Sequence, residues 1–304
     1  MLIRLENLIW KIRQGYKTAA GVYPFNRVIS LAALLGCLLL SLALARVIQA
    51  QDVEPLIIQP PETQDFPSMS IQFKYFPGDS QPLQDLRAEQ VRVFEGDQEG
   101  VVLSLAKVDK GTHFTLAING SQEMDYRDAN GESPYQKIVA HLADWARGRS
   151  FKEADSWSLV TSDSVALRNI ASGSAWVTAL ENDQPNLRNL TPNLTSLQSA
   201  IDLAETRVVD FGVGKSILYI TVPPAPDQIS TLAGLAEKAR ADGIRVNVWM
   251  VGDAYYLDND QGGALENLAI TTGGSFFHFV EGTALPEPET YIMDLGILYH
   301  LEYR

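Results

Sequence analysis

The side chains of this chain best suited to chemistry fall in one short run, Asn119-Gly120-Ser121-Gln122-Glu123-Met124, directly after the apolar strand signal carried by Phe114, Leu116 and Ile118. In open α/β sheets, ligands bind just beyond the carboxyl ends of strands, so this loop is where binding or catalysis is expected. Asn119, Ser121 and Glu123 supply oxygen donors there. Ser121 also raises the reading of a hydrolase nucleophile, but it is flanked by Asn119 and Glu123 rather than the glycines of G-x-S-x-G, so the strained turn is not encoded.

Other candidate sites are weaker. The run "GVGKS" at 212–216 resembles the end of a phosphate-binding loop, yet Val209 stands where the first glycine belongs and a strand signal follows Ser216, so it reads as a loop. Of the histidines, His113, His141, His278 and His300, no two have metal-ligand spacing. The stretch "DAYYLDNDQGG" at 253–263 resembles a calcium loop at Asp258 and Asp260, but Ala269 occupies the twelfth position, where a bidentate glutamate is needed. No enzyme is expected from this set.

The elements that position these residues follow from periodicity. Ser133-Pro134 opens a helix with a capping-box partner at Gln136 and an apolar stripe at Ile138, Leu142 and Trp145. "SWSLVTS" and "SVALRNI" read as a hairpin around Asp163, which makes one antiparallel edge strand. A helix from Thr195 precedes the strand "SILYITV", a helix near 228–242 precedes "IRVNVWMVG", and a helix near 262–272 precedes "SFFHFV". Alternating strands and helices, with continuous apolar runs in the later strands, predict a doubly wound, mostly parallel α/β sheet covered on both faces. The loops after its strands would share one rim. Glu123, Asp125, Tyr126 and Asp128 come from the first loop, and Tyr255, Tyr256, Asp258 and Asp260 from a later one. Tyrosines among acids at a loop-built end favour a protein partner, while solvated acidic loops are the plain alternative.

This order of elements over 111–281, with the hairpin edge and the "GGSFFHF" ending, resembles the von Willebrand factor type A (VWA) family in its bacterial form. The resemblance implies a Rossmann-like fold and a metal-ion-dependent adhesion site, built in the family from D-x-S-x-S, a threonine ahead of a later helix, and a second aspartate after a strand. On these positions Ser121 and Thr195 are retained. Asn119 replaces the first aspartate, Glu123 the second serine and Val222 the second aspartate. Mg²⁺ wants six hard oxygens and carboxylate charge, whereas Asn119 offers a neutral carbonyl and Val222 offers nothing, so no tightly bound metal is expected. Weak Mg²⁺ binding through Asn119, Ser121, Glu123 and Thr195, and with it metal-dependent adhesion, is the alternative. Each residue also has a local reading: Thr195 opens a T-x-x-Q capping box with Gln198, Asn119 and Gly120 suit a turn, and Ser121 can bond the loop backbone.

The remaining composition sets the cellular frame. The chain carries a net charge of −13, and Arg4, Lys11, Arg13, Lys17 and Arg27 concentrate positive charge at its start, so the rest is more acidic still. Nucleic acid, which needs a basic face, is excluded as a partner. Val28 to Ala45, extended by Val47 and Ile48, holds no charge except the intervening Arg46 and is long enough to span a bilayer. The positive-inside rule places 1–27 in the cytoplasm and the main domain outside the membrane, with cleavage near Ala45 or Ala50 as the rival reading. Cys37, the only cysteine, lies within this segment, so no intrachain disulfide forms.

The expected organisation is a basic segment over 1–27, a transmembrane helix over 28–48, a Pro-rich linker over 49–68, a small β domain over 69–110, a VWA-type domain over 111–283 and a return segment over 284–304. The runs "MSIQFKYF", "QVRVFEG" and "GVVLSLAKV" make up the β region, and "ILYHLEY" at 297–303 is expected to return and pair with them, since exposed edges are avoided. Another chain is a candidate to complete this β domain. The function expected from the whole is protein binding or assembly at the membrane.

Overall fold

The computed structural model describes residues 2–3, 57–75, 86–162, 164–205 and 211–304. The expected membrane helix at 28–48, the basic segment apart from Leu2 and Ile3, and the first part of the linker lie outside the described residues. Among the described residues no helix is long and apolar enough to cross a membrane. The chain divides into two compact units, one formed by 1–106 with 299–304 and the other by 107–298.

The larger unit holds a six-stranded sheet. Its strands are β1 (Thr112–Ile118), β2 (Ser156–Val160), β3 (Val165–Ile170), β4 (Gly214–Thr221), β5 (Arg245–Val251) and β6 (Phe276–Phe279), in the spatial order β6-β5-β4-β1-β2-β3. All neighbours are parallel except the β2–β3 hairpin. Chain order runs outward from β1 to β2 and β3, then crosses to β4 on the other side of β1. The direction of winding therefore reverses between β1 and β4, which is the switch point of a doubly wound sheet.

Side chains alternate between the two faces along each strand, and the helices divide accordingly. Phe114, Leu116, Leu218, Ile220 and Trp249 face α1 (Pro134–Gly148) and α2 (Gly173–Asn182). Ala117, Ile217, Tyr219, Val248 and Met250 face α3 (Thr195–Glu205), α4 (Ile229–Ala241) and α5 (Asp260–Thr271). The start of α1 is built as its sequence suggests, with Ser133 and Gln136 satisfying each other's backbone N–H groups and Pro134 in the first turn. Helix α2 escapes the periodicity reading because it is short and its buried stripe is only Trp176, Val177 and Leu180, although Ser172 caps it by accepting from the Ala175 N–H.

Around Trp157 the first face becomes an aromatic cluster. Its ring stacks on Trp145 at 4.8 Å and meets Trp176 and Phe114 edge-on, each at 5.1 Å. Arg149 lies over the same ring and pairs at 2.9 Å with buried Asp155, whose other oxygen accepts the Thr112 N–H that opens β1. The entry to β1 is further fixed by glycine contacts. Gly214 N–H donates to the Gly111 carbonyl, and a Cβ on Gly296 would collide with that same oxygen.

Residues 57–58, 69–74, 297–303 and 102–109 form a four-stranded sheet in that order. Ile297–Tyr303 runs antiparallel to Met69–Lys74, with Leu301 opposite Ile71 and Tyr299 opposite Phe73. Two differences from the sequence reading stand out. Ile57–Ile58, read as tether, pairs with Lys74 and Phe73, because two adjacent isoleucines favour a strand over a solvated linker. "QVRVFEG" contributes only Val93–Glu95, which turns through Gly96 (φ 61°) into a further strand at Gln98–Gly100.

Candidate functional site

β1 and β4 end side by side at the switch point, and the backbone N–H of Asn119 still donates to the Ile220 carbonyl at 2.8 Å. Asn119 and Val222, the two positions where the resemblance implies aspartates, are therefore brought together here, both 3% exposed. Asn119 uses both ends of its amide. Nδ2 donates to Thr221 Oγ1 at 2.9 Å, Oδ1 accepts the Asn193 N–H at 3.2 Å, and the Thr221 hydroxyl in turn donates to the Val222 carbonyl at 2.9 Å. The orientation of the amide is set by its partners: a backbone N–H can only donate, and a hydroxyl already donating elsewhere can only accept. One carboxamide thus joins the ends of β1 and β4 to the loop that leads into α3.

Two local readings change here. Thr195 is exposed at the first position of α3, and no capping box forms with Gln198. Asn193 does the capping instead, accepting the Thr195 N–H at 2.7 Å, while the Gln198 side chain turns along the helix to Asp202. The reason is register: the helix starts one residue too early for Thr195 to stand outside it as a cap. Ser121 is fully buried, and its hydroxyl donates not to loop backbone but to Glu123 Oε2 at 2.6 Å. The backbone is held by Ser162 instead, which accepts the Gly120 N–H at 2.6 Å.

The only oxygen of the Asn119 side chain is turned to Asn193, and Val222 packs into the core. Among the described residues no group of three or more His, Cys, Asp or Glu side chains is placed to hold a metal ion. Beneath the amide lies a polar feature that sequence reading missed. Tyr219 Oη, fully buried, is near the side chains of Thr221, Asn119 and Ser196, yet neither it nor Ser196 Oγ completes a hydrogen bond. Burial pushes the Tyr219 phenol up to about 12, so it remains neutral.

Toward α1 and β6 the carboxyl ends open into a cleft of about 710 Å³. Val222, Val251 and Phe279 contribute apolar surface, and Glu123, Tyr126, Asp128 and Tyr256 from the expected rim also line it. Asp125, Tyr255, Asp258 and Asp260 do not line it. Asp125 is tied to Arg188 at 2.8 Å, Tyr255 points outward at 71% exposure, and Asp258 ends a short 3₁₀ turn. The calcium-loop resemblance dissolves for a local reason. Asn259 caps α5 by accepting the Gln261 and Gly262 N–H groups, and Asp260 is the first residue of that helix. "GVGKS" likewise leads into β4, where the Lys215 ammonium donates to the Asp242 carbonyl. Lys137 and Asp128 form an ion pair at the α1 side of the cleft, and that hydrogen bond holds the lysine pKa above its ordinary value.

No family model matches the sequence, and no curated protein matches it. Among solved structures the chain is similar to the VWA domain of SpRpn10, at 14% identity over 60% of this chain and 94% of that one, with a TM-score of 0.44. It is also similar to an aerotolerance-related membrane protein from Bacteroides fragilis NCTC 9343 bearing multiple mutations to serine, at 14% identity over 56% of this chain and 92% of that one, with a TM-score of 0.41.

Proposed function

We propose that the chain is a membrane-anchored, VWA-type protein-binding module that works outside the cytoplasm without a bound metal and without catalysis. The observation that carries this reading is the Asn119 amide. It links the three segments that a cation would otherwise have to bridge, and so preforms the binding face by hydrogen bonds alone. The exposed tyrosines and the open cleft at the same end supply area for a protein partner. Ser121 is committed to Glu123, and the imidazoles of His141 and His278 bond the Pro286 and Gly252 carbonyls, which argues against a hydrolase. Anchoring rests on the charge-free run within 28–48 and the basic residues before it.

The test is site-specific photocrosslinking in the intact envelope. A photoreactive residue replacing Tyr126, which is 61% exposed at the cleft, should capture a discrete protein in EDTA as well as in Mg²⁺. The same probe replacing Ile270, 64% exposed near the carboxyl end of α5, should not. Capture at Tyr126 that vanishes in EDTA and returns with Mg²⁺ would overturn metal independence. Absence of capture at Tyr126 would overturn the binding role.

A further inference from the structure

We infer that the cleft beside Val222 accepts a cationic, extended polypeptide segment carrying an apolar or aromatic anchor residue, an inference that rests on the protein-binding reading above. The cleft is closed on its inner side by the nearly buried Val222, Val251 and Phe279 at the ends of β4, β5 and β6, and Tyr126 and Val280 add exposed carbon surface to its lining. Exposed apolar groups cluster around this end: Tyr126 at 61%, Tyr255 at 71%, Leu257 at 43% and Val280 at 47%. Surface of this kind, rimmed by polar groups, marks an interaction site.

The sign of the partner follows from charge. Glu123, Asp128, Glu132, Asp253 and Glu281 line the cleft against only Arg127 and Lys137. Neither cation offsets the excess of carboxylates. Lys137 is bonded to Asp128, with the Glu281 and Glu132 carboxylates near it as well, and Arg127 donates to the Gly131 carbonyl at 2.7 Å. Glu132 and Glu281 are exposed and form no ion pair within hydrogen-bonding reach among the described residues, so their charge is available to a visitor. A carboxylate-bearing partner would meet repulsion here, and a lysine- or arginine-bearing one attraction.

Size and chemistry narrow the class. A cleft of about 710 Å³ is in the range that encloses a ligand rather than a single ion, and its carboxylates are not grouped to ligate a metal. A small polycation would satisfy the rim and leave the apolar lining uncovered, whereas a peptide with alternating basic and aromatic side chains covers both.

The experiment uses the full-length chain in detergent and a fluorescein-labelled peptide, Lys-Phe-Lys-Leu-Lys-Trp, followed by anisotropy, with Glu-Phe-Glu-Leu-Glu-Trp as its charge-reversed control. The basic peptide should bind, and the acidic one should not. Glu132→Gln with Glu281→Gln, both at exposed positions, should weaken binding about tenfold, and the melting temperature of that variant should match the parent. Equal binding of the two peptides, or binding indifferent to the double substitution, would overturn the inference. The basic peptide is then added to the Tyr126 photocrosslinking reaction. Loss of the captured protein supports the inference. Capture that persists under saturating peptide sinks it and leaves the binding role standing, whereas no capture at Tyr126 in the first place sinks the binding role itself.

Discussion

Replacing Asn119 by aspartate changes one atom pair in the hydrogen-bond junction and is the sharpest probe of it. The Asn193 N–H keeps its acceptor, but the Nδ2 donor to Thr221 is lost. The Thr221 hydroxyl then either turns to the new carboxylate and abandons the Val222 carbonyl, or stays and faces it acceptor to acceptor. An unsatisfied buried group costs about 1–3 kcal/mol. Holding a carboxylate charged in a site only 3% exposed adds a desolvation cost. That cost has a ceiling of about 4 kcal/mol at pH 7, the energy of protonating an acid whose ordinary pKa is about 3.9. We therefore expect a loss of about 3 kcal/mol at neutral pH, which for a unit of this size lowers the melting temperature by about 6–12 °C.

The same substitution makes stability depend on pH. Burial raises the folded-state pKa of the carboxyl introduced by Asn119→Asp above its unfolded value, because the neutral form is favoured inside. Its contribution to stability is therefore fully present below the unfolded pKa and is lost as pH rises through the folded one. The protonated acid can also donate to Thr221 as the amide does. Thermal unfolding followed by circular dichroism at pH 4.5, 6.0 and 7.5 should show a deficit against the parent that grows with pH. Addition of 10 mM Mg²⁺ should not restore the melting temperature, since Val222 still supplies no charge. A variant as stable as the parent at pH 7.5, or one fully rescued by Mg²⁺, would refute this account of the junction.

Three further outcomes are expected. Asn119→Asp combined with Val222→Asp should bring Mg²⁺ affinity into the range of calorimetric titration, and no heat of binding would mean that these positions do not correspond to the family's aspartates. Tyr219→Phe removes a fully buried hydroxyl that completes no hydrogen bond, so stability should change by less than about 1 kcal/mol; ultraviolet titration should lose a tyrosine that ionises only near pH 12. Gly296→Ala would press a methyl group into the Gly111 carbonyl oxygen, where backbone must shift, and should cost about 1–3 kcal/mol in a denaturant midpoint measurement.

Much of the α/β unit was legible because local and tertiary preferences agree there. Ser133, Pro134 and Gln136 announce the start of α1 by themselves, and the apolar runs of β4 and β5 lie buried against helices on both faces as such runs should. Helix α2 was not legible, since its stripe spans barely two turns and its burial depends on the aromatic cluster around Trp157, a tertiary fact. Ile57–Ile58 was hidden by the prolines around it. The cap at Thr195 was misplaced by register, for the sequence "NLTSLQ" lets either Asn193 or Thr195 cap, and only the position of the first helical turn decides between them.

The site itself was half legible. The family resemblance singled out Asn119, Ser121, Thr195 and Val222, but their physical meaning depends on which partners their polar atoms reach. An asparagine in place of an aspartate reads in sequence as the loss of a charge. In the fold it is the gain of a donor, and that donor closes a junction between β1, β4 and the entry to α3. The amide and Val222 also bear on the field at the cleft. They leave its interior uncharged, while Glu132 and Glu281 keep negative charge at the margin. Under the reading proposed above, that distribution is what would draw a cationic segment to the cleft and repel an acidic one.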